Sequence, residues 1–89
     1  MIPQSTKYQI DEYVKHYIPT GGFVRAVLEN NLMEAFYRAD DMNASHMKDI
    51  VVYVYNKIPS TCWGSPEIVK LWLETPQRME AHKEGVLKK

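Results

Sequence analysis

A single cysteine, Cys62, stands in the 89 residues, so no disulfide can form within the chain. A lone thiol fits a reducing cytoplasm, where disulfides are rare. Neither sign of charge is in excess, with 11 Lys and Arg against 11 Asp and Glu. A nucleic-acid binder ordinarily carries a basic surplus that displaces counterions from phosphates, and a mimic of DNA carries the reverse. Neither field exists at the scale of the whole chain. No apolar run approaches the roughly 18 residues of a membrane-spanning helix. The opening Met1-Ile2-Pro3-Gln4-Ser5 has neither the basic nor the apolar region of a signal peptide. The three histidines, His16, His46 and His82, show no HxxxH spacing, and no CxxC pair exists to join them. Zinc would need a site assembled with Cys62 in three dimensions, so no metal and no cofactor is expected.

What is present describes a small helical domain. Apolar residues make up 45% of the chain, too many for disorder. A chain this short builds one modest core, which often gains stability from disulfides, metals or oligomerisation. With the first two set aside, a homo-oligomer is the remaining candidate source of extra stability.

The spacing predicts a helix over residues 6–17, where Ile10, Tyr13, Val14, Tyr17 and Ile18 form one stripe. Thr6 with Gln9 reads as a capping box, Asp11 and Lys15 pair one turn apart, and Pro19 stops the helix. A second helix opens at Gly21-Gly22 under a Thr20 cap and carries Phe23, Val24, Val27 and Leu28. Asn30-Asn31 breaks it, and Asn31 with Glu34 resembles a new start, leading to Leu32, Met33, Phe36 and Tyr37. One bent helix or two both fit this stretch.

Asp40-Asp41-Met42-Asn43 reads as a polar link with capping character; it lacks the glycine and distal glutamate of a calcium loop. Met47, Ile50, Val51, Val54, Tyr55 and Ile58 return to helical spacing, although Val51-Val52-Tyr53-Val54-Tyr55 has the composition of a strand. Helix is the better reading, because a lone strand has no partner for its backbone groups. After the loop Pro59–Gly64, Ser65-Pro66-Glu67 opens a helix with a cap, a first-turn proline and an acid. Ile68, Val69, Trp72 and Leu73 supply its inner face, and Thr75-Pro76 ends or restarts it. The expected fold is all-α, a small bundle of four to five short helices with Gly/Pro-capped junctions. Residues 1–75 form the compact domain, and 76–89, with Met79, His82, Val86 and Leu87, a loosely docked or frayed tail.

Two junctions are the candidate sites. Thr20, Gly21, Gly22 and Arg25 could hold an anion, since a helix start offers free amides and glycine lets a ligand approach. The ordinary reading is that the glycines let two helices pack closely. Trp63, Gly64 and Ser65, with Tyr37, are candidate partner contacts, because aromatic residues dominate interface hot spots. Cys62 near a helix start could be a nucleophile, but no histidine base accompanies it in sequence, and a lone cysteine beside tryptophan is ordinarily a core filler. Six tyrosines suit either an interface or the rim of a small core. No catalytic set is expected.

Tyr17-Ile18-Pro19-Thr20-Gly21-Gly22-Phe23, Ala26-Val27-Leu28-Glu29-Asn30-Asn31-Leu32, Ala39-Asp40, Tyr55-Asn56 and Cys62-Trp63-Gly64-Ser65-Pro66-Glu67 together resemble a family of short proteins encoded by tailed bacteriophages and prophages. The resemblance spans roughly residues 13–73. It departs where a second proline often precedes the paired glycines and Thr20 stands here. The family carries no activity to transfer, so it implies a setting, the cytoplasm of an infected host, and no site residues. In that setting the leading expectation is a non-enzymatic accessory protein that binds a host or phage protein, including a defence component. The alternative is a small-ligand protein that binds a nucleotide or other anion. Nucleic-acid binding through Lys7, Lys15, Arg25 and the basic tail, and a virion or assembly role, rank below these; an enzyme ranks last.

Overall fold

The computed structural model describes the backbone of residues 1–87 and the side chains of residues 1–78. Among the described residues it has six helices and no strand: α1 (Gln4–His16), α2 (Gly22–Leu28), α3 (Leu32–Arg38), α4 (Asp41–Ser45), α5 (Met47–Lys57) and α6 (Pro66–Leu87). The all-α expectation is met, with one more helix than anticipated. That helix is α4, five residues in the stretch read as a polar link, with Asp40 as its cap accepting from the Asn43 amide at 2.8 Å.

The first helix starts earlier than its pattern suggested. It begins after Pro3, so Thr6 is interior and buried, and its hydroxyl donates to Asn43 Oδ1 at 2.5 Å. The Thr6–Gln9 capping box does not form, because both side chains are drawn to other helices. The helix ends where the spacing placed its end, with Tyr17 as its C-cap two residues before Pro19. Tyr17 adopts the left-handed conformation (φ 59°) and donates its amide to the Tyr13 carbonyl at 3.0 Å. That conformation costs a non-glycine residue about 1–2 kcal/mol. The Tyr17 ring lies against Trp72 with centroids 4.7 Å apart, a contact that offsets the cost. The Trp72 indole N–H also donates to the Tyr13 carbonyl, at 2.9 Å, so α6 helps to cap α1.

Residues 22–38 are two helices. Asn30 turns the chain through φ 60°, and the Asn31 side chain then accepts from the Glu34 amide at 3.2 Å, the start signal read from the sequence. Residues 50–55 are helical, within α5. Their β-branched composition yields to burial: Met47, Ile50, Val54 and Ile58 fall on one stripe and all are buried. On another side of α5, Tyr53 donates its hydroxyl to Asp11 Oδ1, while Lys7 Nζ lies 3.0 Å from Asp11 Oδ2. Burial alone would raise the Asp11 pKa, but these two hydrogen bonds and the charges of Lys7 and Lys15 outweigh it and hold the carboxyl below its ordinary value.

The loop before α6 is tied on three sides. Gly64, at φ 130° where only glycine sits without strain, donates its amide to the Leu28 carbonyl at 2.7 Å. The Trp63 indole donates to the Ile58 carbonyl at 3.2 Å, and Ser65 Oγ accepts from the Ile68 amide at 3.2 Å. The Ser65-Pro66 start is thus as the sequence indicated. Helix α6 runs on through Pro76, so Thr75-Pro76 is no boundary in the backbone. Proline lacks an N–H and frees the carbonyl one turn back. The tail residues Met79, His82, Val86 and Leu87 have side chains outside the described set.

The core joins α1 (Ile10, Tyr13), α2 (Val24, Leu28), α5 (Ile50, Val54), Ile58, Cys62 and α6 (Val69). A smaller cluster of Ala26, Ala35 and Met47 seats α3 on α2 and α5. Burial of each large aliphatic side chain contributes about 1.5–3 kcal/mol, so these few residues carry most of the folding drive.

Candidate functional site

An apolar groove of about 380 Å³ opens between the α2–α3 turn, α5 and the loop before α6. Ala35, Met47, Val27 and Val54 form its inner wall, and Leu32, Val51, Tyr55 and Trp63 its outer one, with Asn30 and Asn31 at one end. Its size and lining are those of a site that takes apolar groups, with a few polar atoms for orientation. The Tyr55 and Trp63 rings are tilted at 60° with centroids 6.0 Å apart, an aromatic pair on the groove wall. Trp63, half-buried against the core, is held in place by its bond to Ile58.

The groove continues onto a helix face that no described part of the chain covers. On α3, helical spacing places Ala35 and Ala39 inward, then Leu32, Phe36, Met33 and Tyr37 in successive sectors, with the paired Glu34 and Arg38 beyond. Leu32, Met33 and Tyr37 are 60%, 83% and 84% exposed, and Phe36 is about half exposed. On α5, Val51, Tyr55 and Val52 make the matching exposed sector. The two sectors meet across the groove through Leu32, Val51 and Tyr55.

Of the partner-contact candidates, Trp63 lines this groove and Tyr37 lies on the same apolar face; Gly64 and Ser65 give their polar groups to the fold, as the bonds to Leu28 and Ile68 show. Sequence reasoning missed Leu32, Val51 and Tyr55. A signal was available: α3 is apolar around most of its circumference, more than a helix with one buried stripe requires.

The other junction is arranged differently from the anion reading. Thr20 does not cap α2. Its hydroxyl lies 3.2 Å from the Gly21 carbonyl, and the Gly21 amide donates instead to Gln9 Oε1 at 2.9 Å. Arg25 Nε is bound to Glu29 at 2.8 Å. A Cβ at Gly22 would stand 3.0 Å from Nη1 of Arg38, so the glycine makes room for a side chain from α3. Gly21 and Gly22 thus serve a close meeting of α1, α2 and α3, the ordinary reading of paired glycines, while Thr20 and Arg25 bond only within their own segment.

Cys62 is fully buried, and burial pushes its thiol pKa up, opposite to what a nucleophile needs. Its carbonyl accepts from the buried Tyr13 hydroxyl at 2.7 Å. Among the described residues no three or more His, Cys, Asp or Glu side chains gather as metal ligands. His16 faces Glu12 at 3.5 Å, and His46 Nδ1 lies 2.8 Å from the Met42 carbonyl; His82 falls outside the described side chains. Of the basic residues nominated for phosphate contact, Lys7 and Arg25 each pair with an acid one turn on. Among the described residues no helix is long and apolar enough to cross a membrane.

No family model matches this chain. No curated protein and no solved structure matches it either. A functional reading therefore has to come from the chemistry of the groove and the face beside it.

Proposed function

We propose that this chain is a non-enzymatic accessory protein of a bacteriophage or prophage that binds and modulates a host or phage protein in the host cytoplasm. The binding surface is the α3–α5 groove with its Tyr55–Trp63 wall. The single observation that carries the reading is this groove, continuous with an apolar helix face that no part of the described chain covers. Contiguous apolar patches above about 300–600 Å² are rare on monomers without an interaction role. The groove suits an amphipathic helix whose apolar side chains enter at one-turn spacing. The resemblance of residues 13–73 to phage-encoded proteins supplies the setting, and the buried, high-pKa thiol of Cys62 speaks against nucleophilic catalysis. Anion binding at Thr20, Gly21, Gly22 and Arg25 has less support, because Gln9 and Glu29 already occupy the groups it needs.

The test is affinity capture from lysate of the bacterial host, with and without infection. The wild-type chain is expected to retain a reproducible protein, and Val51→Lys with Tyr55→Glu to lose it, while Tyr8→Glu on α1 retains it. Reproducible absence of any partner, or retention indifferent to the groove substitutions, would overturn the proposal.

A further inference from the structure

The apolar face has two halves of opposite shape. One half is concave, the groove of about 380 Å³ between Leu32 and Tyr55. The other is convex, the side chains of Met33, Phe36 and Tyr37 standing into solvent from α3. A two-fold interface requires one patch to be complementary to itself, so that whatever protrudes from one copy fills a recess on the other. A ridge lying beside a groove meets that condition twice over.

We propose that the occupant of this face in the free protein is a second copy of the same chain, in a symmetric dimer that seats the Met33–Tyr37 ridge of each copy in the groove of the other. The inference rests on the reading of this face as a docking surface and adds what covers it at rest. Three observations select a second copy. First, the exposed parts of Leu32, Met33, Phe36, Tyr37, Val51, Val52 and Tyr55 amount to on the order of 1,000 Å², against about 800 Å² per partner in a stable interface. Second, the chain has zero formal net charge, so two copies approach without net repulsion. Third, a chain of 89 residues builds a small core, and dimerisation adds apolar burial that a fold this size otherwise lacks. Asn30 and Asn31, polar side chains lining the groove, supply part of the wet rim expected around a dry centre. Binding of another protein at the same groove then competes with the dimer, so its apparent affinity falls as the chain's own concentration rises.

Sedimentation velocity of the full chain from micromolar to millimolar concentration reads this directly. The wild type is expected to shift from monomer to dimer. Met33→Glu with Tyr37→Glu should raise the dimer dissociation constant about thirtyfold or more, as for loss of central interface anchors. Both side chains are more than four-fifths exposed, so the fold is expected to survive, and circular dichroism with a melting curve checks that it does. A second variant, Val52→Lys, weakens the dimer from the other helix; Tyr8→Glu leaves it unchanged. A wild type that stays monomeric throughout would overturn the dimer while leaving capture of a different protein by the groove intact. A dimer indifferent to all three face substitutions would overturn the assignment to this face. A dimer that dissociates with them, even when no host protein is captured, supports it.

Discussion

The Tyr13 hydroxyl donates to the Cys62 carbonyl inside the core, and Tyr13→Phe removes only that donor. A buried carbonyl left without a partner costs about 1–3 kcal/mol, so the urea midpoint at neutral pH should fall accordingly. The same residue sets a pH dependence. Burial first, then the nearby Cys62, pushes the Tyr13 pKa well above its usual value, with Arg25 opposing weakly. In the unfolded chain the phenol titrates near its ordinary value of about 10. Its contribution is therefore complete below that pH and is lost progressively as pH rises toward the folded value. Denaturation on both sides of about pH 10 should show a steep alkaline loss in the wild type and a shallower one in Tyr13→Phe. Equal slopes would mean that the buried phenol does not carry the effect. At this scale the filler role of Cys62 was legible from its solitary place beside Trp63. Its bond to Tyr13 was not, because the two residues lie 49 apart and only the packed core joins them.

Helix ends divide into those capped from within and those capped from elsewhere. Asn31 on the Glu34 amide, Asp40 on the Asn43 amide and Ser65 on the Ile68 amide all act three residues ahead, a fixed local offset. The sequence announces such caps, and two of the three starts, at Asn31 and Ser65, were legible as starts. Gln9 on the Gly21 amide and Trp72 on the Tyr13 carbonyl act across 12 and 59 residues. Neither could be read before the helices met, which is why Thr20 looked like a cap. Ser65→Ala should therefore cost about 0.5–2 kcal/mol. Thr20→Ala should stay within about 0.5 kcal/mol, the range of an uninvolved surface residue. Thermal melts of the two variants check the contrast, and a larger loss at Thr20 would restore it as the cap. In α5 the apolar spacing decided the element over the β-branched composition, because Met47, Ile50 and Val54 can all be buried only on a helix.

For the whole molecule, the one core was legible from periodicity, but the outer surface was not. Excess apolar residues on α3 and α5 could not be sorted into packed and open until both helices were placed. The structure leaves Met33, Phe36, Tyr37 and Tyr55 in water beside a groove, where a chain of 89 residues gains nothing from them alone. The central claim that the purified protein can test by itself is that a second copy of the chain covers this face. Hydroxyl-radical footprinting of the purified full chain, dilute and concentrated, tests it with Tyr8 as the internal reference, since Tyr8 is 65% exposed on α1. The account predicts that labelling of Met33, Phe36, Tyr37 and Tyr55 relative to Tyr8 falls several-fold on concentration. Ratios that stay constant across the series would contradict it.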